Sequence, residues 1–174
     1  DGLCSTILLP GPAMSDEVDP RPAAAAFCTD GWTCPIRPLG YGNINHTFLV
    51  SATAGPFVLQ RINRRVFSEP LRVIDNFARV TGHLAGKPSE GGARFDTAQP
   101  VRTLAGPLWY LDHLADYWRG QTYVAHTSCS TLTGPRQAEQ VGRTLSTFHR
   151  LVADLDVRCL AEPLPGFHNL LWYL

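Results

Sequence analysis

An α+β fold, an antiparallel sheet with a helix laid against it, is what this sequence predicts. Three observations predict it. Two short apolar runs are joined by a tight turn at Ala54-Gly55-Pro56, a segment of helical period follows them at once, and further short runs come before the next helical segment. The sheet is expected to hold about five strands with one helix, followed by a linker and a second helix.

The elements are justified in chain order. Residues 1–26 are rich in Pro, Ala and acid and have no sustained period. They are expected to be mobile or loosely attached, with residues 1–13 upstream sequence or a fragment edge before a true start at Met14, the only methionine. Trp32–Leu39 mixes β-branched, aromatic and proline residues, and Pro35 and Pro38 restrict it to an edge strand. Gly40-Tyr41-Gly42-Asn43-Ile44-Asn45 is a glycine bend. Thr47–Val50 and Phe57–Ile62 then make an antiparallel hairpin. Ser68 is the expected N-cap of a helix, with Glu69 and Pro70 in its first turn. Val73, Phe77, Val80 and Leu84 form its apolar face, and Gly86-Lys87-Pro88 ends it. Pro100–Leu104 and Leu108–Leu111 read as a second hairpin turning at Ala105-Gly106-Pro107, and Tyr117–Ala125 as a further strand. Polar residues His126–Thr133 lead to a longer helix from about Pro135, with Ala138, Val141, Leu145, Phe148, Val152 and Leu155 on one stripe. The units are thus residues 1–26, a sheet domain over 27–125, and a linker with a helix over 126–174.

Composition narrows the function classes. Fifteen basic residues balance fifteen acidic ones, so no net field favours nucleic acid or an anionic membrane as a partner. No apolar run approaches a bilayer's thickness, and Leu3–Pro10 lacks the basic leader of a signal peptide. The five cysteines include no C-x-x-C pair, which suggests neither a zinc site nor a disulfide framework and leaves reduced thiols in a cytoplasmic protein as the expectation. Asn45-His46-Thr47 fits a glycosylation sequon and is read as coincidence in such a chain.

The glycine bend carries the first chemical signal. Glycines at 40 and 42 between two strands would let backbone amides approach a phosphate without side-chain obstruction. A strand follows them, not a helix, so a dinucleotide-binding crossover is rejected. On these residues alone, an ordinary hairpin turn explains the bend equally well. His149 lies beside the apolar stripe of the last helix and is read as structural, as is His168.

A wider block is more specific. Leu39–Val50, then Phe57-Val58-Leu59-Gln60-Arg61-Ile62-Asn63, Val66-Phe67 and Asp75-Asn76-Phe77 resemble the opening of N-acetylhexosamine 1-kinases, members of the aminoglycoside phosphotransferase superfamily. Tyr117-Trp118-Arg119, Tyr123-Val124, Gly142-Arg143, Phe148-His149-Arg150-Leu151 and Pro165-Gly166-Phe167-His168 are similar to that family in the same order, so the resemblance covers about residues 35–169. It implies a protein-kinase-like amino lobe, the start of a carboxyl lobe, and ATP with Mg²⁺ as cofactors.

The resemblance also implies roles. Gly40, Tyr41, Gly42, Asn43, Ile44 and Asn45 would cover the ATP phosphates. Gln60 or Arg61 would stand where protein kinases carry a phosphate-binding lysine, and Asp75 where the helix carries its acid. Strand alternation puts Gln60 and Arg61 on opposite faces, so only one can point at the nucleotide; Gln60 fits the alignment and Arg61 supplies the charge. An exposed strand cation and a solvated helix acid are the plain readings of Arg61 and Asp75. Tyr123, Val124 and Ala125 would form the hinge whose backbone meets adenine, or an ordinary strand end.

Catalysis in this superfamily needs an H-x-D-x-x-x-x-N loop and a later Asp for Mg²⁺. None of the six histidines here has Asp two positions on. The expectation is therefore a fragment holding the nucleotide lobe, inactive alone, with catalytic and Mg²⁺-binding residues in a carboxyl lobe outside it. The intact relative would phosphorylate the anomeric hydroxyl of an N-acetylhexosamine. The alternatives are a non-catalytic kinase-like binding module, or a kinase for an aminoglycoside, choline or homoserine.

Overall fold

The computed structural model describes residues 18–40, 44–88, 95–126, 131–167, 169 and 171. They form α1 (Arg21–Phe27), β1 (Ile36–Pro38), β2 (His46–Ala52), β3 (Gly55–Arg61), α2 (Pro70–Ala85), β4 (Pro100–Val101), β5 (Tyr110–Leu111), β6 (Tyr117–Thr122) and α3 (Pro135–Val152). The six strands make one antiparallel sheet in the order β1-β2-β3-β6-β4, with β5 also on β6. The fold is α+β, consistent with a kinase-like amino lobe.

Register assigns each side chain to a face, because directly opposed residues in an antiparallel pair share one. Phe48 faces Leu59, Val50 faces Phe57, and Leu59 faces Gly120. Together with Trp118 these line one side of the sheet, and α1 packs there: Ala23, Ala24, Phe27, Val50, Phe57, Leu59 and Trp118 are one buried cluster. Burying each large apolar side chain of that set contributes about 1.5–3 kcal/mol. The other side carries Thr47, Gln60 and Arg119, again by register. Helix α2 lies over it, with the Arg119 guanidinium 4.6 Å from the centre of the Phe77 ring.

Helix α1 corrects the expectation for residues 1–26, of which residues 21–26 belong to a packed helix. Seven residues cannot hold a helix alone. Pro22 suits the first turn, the alanines favour helix, and the small buried faces of Ala23 and Ala24 let the helix sit close on the sheet. Phe27 then reaches over Gly120 and lies 6.2 Å from the Phe57 ring.

The expected second hairpin is also corrected. β4 and β5 do not pair with each other; both pair with β6, at Gly120–Gln121 and at Tyr117–Trp118 respectively. The turn around Gly106 is real, closed by the Thr103 N–H on the Pro107 carbonyl at 2.8 Å. It returns the chain to the same edge of β6, which β3 leaves open, and so makes an excursion between two short strands.

Helix α2 starts with Glu69 as N-cap instead of Ser68, and no side chain caps it. Its buried positions are Pro70, Ile74, Thr81 and Leu84, with Val73, Phe77 and Val80 half-buried, so the inward face is rotated from the expected stripe. Helix α3 meets α2 near its end: Leu151 is buried, its carbonyl lies 3.1 Å from His83 Nε2, and Lys87 pairs with Asp154. Asn76 on α2 ties down the following segment, donating to the Ala161 carbonyl at 2.8 Å and accepting from its N–H at 2.9 Å. The expected apolar stripe of α3 is covered, among the described residues, only toward its end: Val141 is 57% and Leu145 52% exposed, whereas Phe148, Val152 and Leu155 are half-buried. No helix among the described residues is long and apolar enough to cross a membrane.

Candidate functional site

The glycine bend opens where β1 and β2 part. The Leu39 N–H donates to the Thr47 carbonyl at 2.9 Å, closing the neck of the bend. Gly40 has φ of 72°, a left-handed conformation that glycine adopts freely and other residues resist. Tyr41, Gly42 and Asn43 lie outside the described residues. On the far side Ile44 is exposed, and its carbonyl accepts from Asn63 Nδ2 at 3.0 Å. The Asn45 side-chain oxygen accepts from the Asn63 N–H at 2.9 Å. Asn45 and Asn63 thus fasten the bend to the end of β3, and the register sets Thr47 opposite Gln60 and His46 opposite Arg61.

Gln60 and Arg61 part at this point, onto opposite faces. On the α2 side, Gln60 Nε2 donates to Thr47 Oγ1 at 3.0 Å. Gln60 Oε1 accepts two bonds from Arg119, from Nε at 3.1 Å and Nη2 at 2.8 Å. A guanidinium only donates, so the amide oxygen must point to Arg119 and the amide nitrogen to Thr47. Burial pulls the Arg119 pKa down to about 10, which leaves it charged at neutral pH. Among the described residues no carboxylate pairs with it. The result is a positive group fixed by an amide and an aromatic ring, on the same face as the helix that carries Asp75.

Arg61 stands on the α1 side. Its Nη1 lies 3.1 Å from Asp116 Oδ2 and its Nη2 3.0 Å from His46 Nδ1, which must accept here. Arg64 pairs with the other Asp116 oxygen at 2.9 Å. Asp75 is exposed on α2, and among the described residues no bond joins it to Gln60, Arg61 or Arg119. The bend and Gln60 are therefore brought together, whereas Arg61 and Asp75 are not brought to Gln60.

The strand expected to run to Ala125 ends at Thr122. Tyr123, Val124 and Ala125 follow as irregular backbone. The Val124 carbonyl accepts from His126 Nδ1 at 2.7 Å, so that nitrogen carries the proton. The Tyr123 ring lies 6.0 Å from the His126 ring. His149, expected to be structural, is exposed on α3 with its ring near Phe148. His168 lies outside the described residues.

Arg119 was missed as a site residue in the sequence, although Tyr117-Trp118-Arg119 belongs to the motif likeness. It lies 59 positions from Gln60, and only the pairing of β3 with β6 opposes the two. Chemically, a charged guanidinium with an amide and a hydroxyl in line, beside a glycine bend, is a donor set for an anion carrying several oxygens. This geometry accompanies a family-level finding. Residues 35–173 match the model of the Phosphotransferase enzyme family, APH. That match spans most of the chain, and the chain belongs to the phosphotransferase enzyme family, that of the aminoglycoside phosphotransferases.

Proposed function

We propose that this chain is the nucleotide-holding lobe of an ATP-dependent phosphotransferase that phosphorylates an N-acetylhexosamine at its anomeric hydroxyl. Family membership supports phosphotransfer. The sugar rests on the likeness of the Leu39–Val50 and Phe57–Asn63 motifs to N-acetylhexosamine 1-kinases. The observation that carries the nucleotide reading is the Arg119 cation on the α2 face, bonded to Gln60 and unpaired with any carboxylate among the described residues.

In this reading Arg119 takes the place of the kinase lysine and binds phosphate oxygens, while Gln60 orients its guanidinium from the side and Thr47 orients Gln60. Residues 40–45 cover the phosphates with backbone amides, and the peptide groups of residues 123–125 meet adenine. Arg61, on the other face and bonded to Asp116, takes no part. Mg²⁺ would neutralise phosphate charge when bound; its ligands and the base are assigned to a carboxyl lobe outside these residues. The chain then holds nucleotide without catalysing transfer.

Titration with a fluorescent ATP analogue tests this. ATP and ADP should displace the analogue, and adenosine should do so at least ten times less well, because the phosphates meet the cation. Equal displacement by adenosine would remove the phosphate assignment. Turnover of ATP and N-acetylglucosamine by this chain in a coupled assay would show that the transfer machinery is already present.

A further inference from the structure

We propose that Cys28, Asp30 and Cys34 form a zinc site that staples α1 to the start of the sheet. Their spacing along the chain fits no zinc pattern, but the turn between α1 and β1 changes what the spacing allows. Cys28 caps the end of α1, and the following residues coil back: the Gly31 N–H donates to the Cys28 carbonyl, and the Thr33 and Cys34 N–H groups both donate to the Asp30 carbonyl at 2.9 and 2.8 Å. One donor atom from each of Cys28, Asp30 and Cys34 lies within 4.8 Å of the other two.

The turn is built to hold that arrangement. A Cβ on Gly31 would lie 2.3 Å from the backbone of Ala24 and Ala25, so the loop presses against α1 in a way that only glycine permits. Asp30 is oriented from outside: one of its oxygens, Oδ2, accepts from both the N–H and the hydroxyl of Thr53, each at 2.8 Å. These bonds orient the carboxylate from outside, the arrangement in which an outer hydrogen bond fixes a carboxylate ligand. Tetrahedral zinc with thiolate bonds of about 2.3 Å places its sulfurs about 3.8 Å apart, so closure onto a metal needs movements of about 1 Å.

Two thiolates and a carboxylate make a soft, anionic set suited to Zn²⁺ more than to Mg²⁺ or Ca²⁺. Binding converts both thiols to thiolates, releases two protons to solvent, and leaves the fourth position to water. A redox pair is the competing use of two nearby cysteines. Cys28 is poorly suited to it, being only 8% exposed. The metal would add a covalent tie among three elements already joined by hydrogen bonds: the end of α1, the residues entering β1, and the β2–β3 turn through Thr53. The site lies on the α1 side of the sheet and is independent of the nucleotide reading.

The test uses the whole chain, purified after growth with zinc. Elemental mass spectrometry should give about one zinc per chain, and cobalt(II) exchanged for it should show thiolate charge-transfer absorption. Asp30→Asn and Cys34→Ser should each lower metal retention at least tenfold. Should either variant misfold, the wild-type chain answers alone: Cys34 is alkylated after chelation and protected when zinc is restored, as peptide mapping reads. Absence of bound zinc before and after reconstitution overturns the site. So does alkylation of Cys34 indifferent to zinc, or recovery of the 28 and 34 peptides joined as a disulfide.

Discussion

Replacing Arg119 by Met separates a binding residue from a structural one. The fall of its pKa from the ordinary 12.5 to about 10, at about 1.4 kcal/mol per factor of ten, amounts to about 3 kcal/mol against the charged form in the folded chain. The folded value lies below the unfolded one, so this penalty is present in full below pH about 10 and fades as pH rises toward the unfolded value. Two bonds to Gln60 from a charged donor return about 1.5–3 kcal/mol, and the contact with Phe77 about 0.5–2 kcal/mol. These terms nearly cancel. Met keeps an apolar chain over Phe77 but leaves the Gln60 oxygen without its donors, so the variant should lose about 1–3 kcal/mol in urea unfolding, where breaking a buried charge pair costs about 3–5 kcal/mol. Nucleotide affinity should behave differently. Loss of a charged bond of about 1.5–3 kcal/mol weakens the fluorescent ATP analogue about 10- to 150-fold. A variant that loses more than about 3 kcal/mol of stability and binds nucleotide as well as wild type would refute the reasoning and make Arg119 a strut.

Other outcomes follow from the packing. Gly120→Ala places a Cβ 2.9 Å from Phe27 Cδ1 and 3.1 Å from Val101 Cβ, and should cost about 1–3 kcal/mol in urea unfolding. Phe27→Leu in the same chain should recover part of that loss, and strictly additive effects would show that the ring is not the obstacle. Asn76→Ala removes both bonds to Ala161 and should cost about 1–3 kcal/mol, with faster proteolysis beyond Ala153; an unchanged cleavage rate would mean that the segment is held otherwise. The Lys87 ammonium holds the Asp154 carboxyl below its ordinary value. The stability from that contact is present above the ordinary aspartate range and lost as pH falls through the lowered value. Asp154→Asn should therefore flatten the acid limb of a urea-midpoint profile slightly, and an identical profile would place the contact outside the stability of the fold.

The sequence by itself determined the elements whose signals are local. The β2–β3 hairpin is legible in two apolar runs with a Gly-Pro turn between them, and the end of α2 in Gly86-Lys87-Pro88. The start of α3 is legible in Pro135, and the two ends of the bend in Gly40 and Asn45. Each of these depends on backbone freedom and side-chain period within a few residues. Tertiary structure alone decided what depends on register and on packing between distant segments. Alternation shows that Gln60 and Arg61 oppose each other across the sheet, but not which face α2 covers; the Phe77–Arg119 contact settles it. Arg119 joins Gln60 because β6 lies beside β3, and α1 is a helix because the sheet offers Phe57, Leu59 and Trp118 as its other half. The same holds for β4 and β5, whose turn was readable and whose partner was not. A hydrogen-bond ladder couples residues far apart in the chain, and no local propensity encodes the strand that will lie opposite.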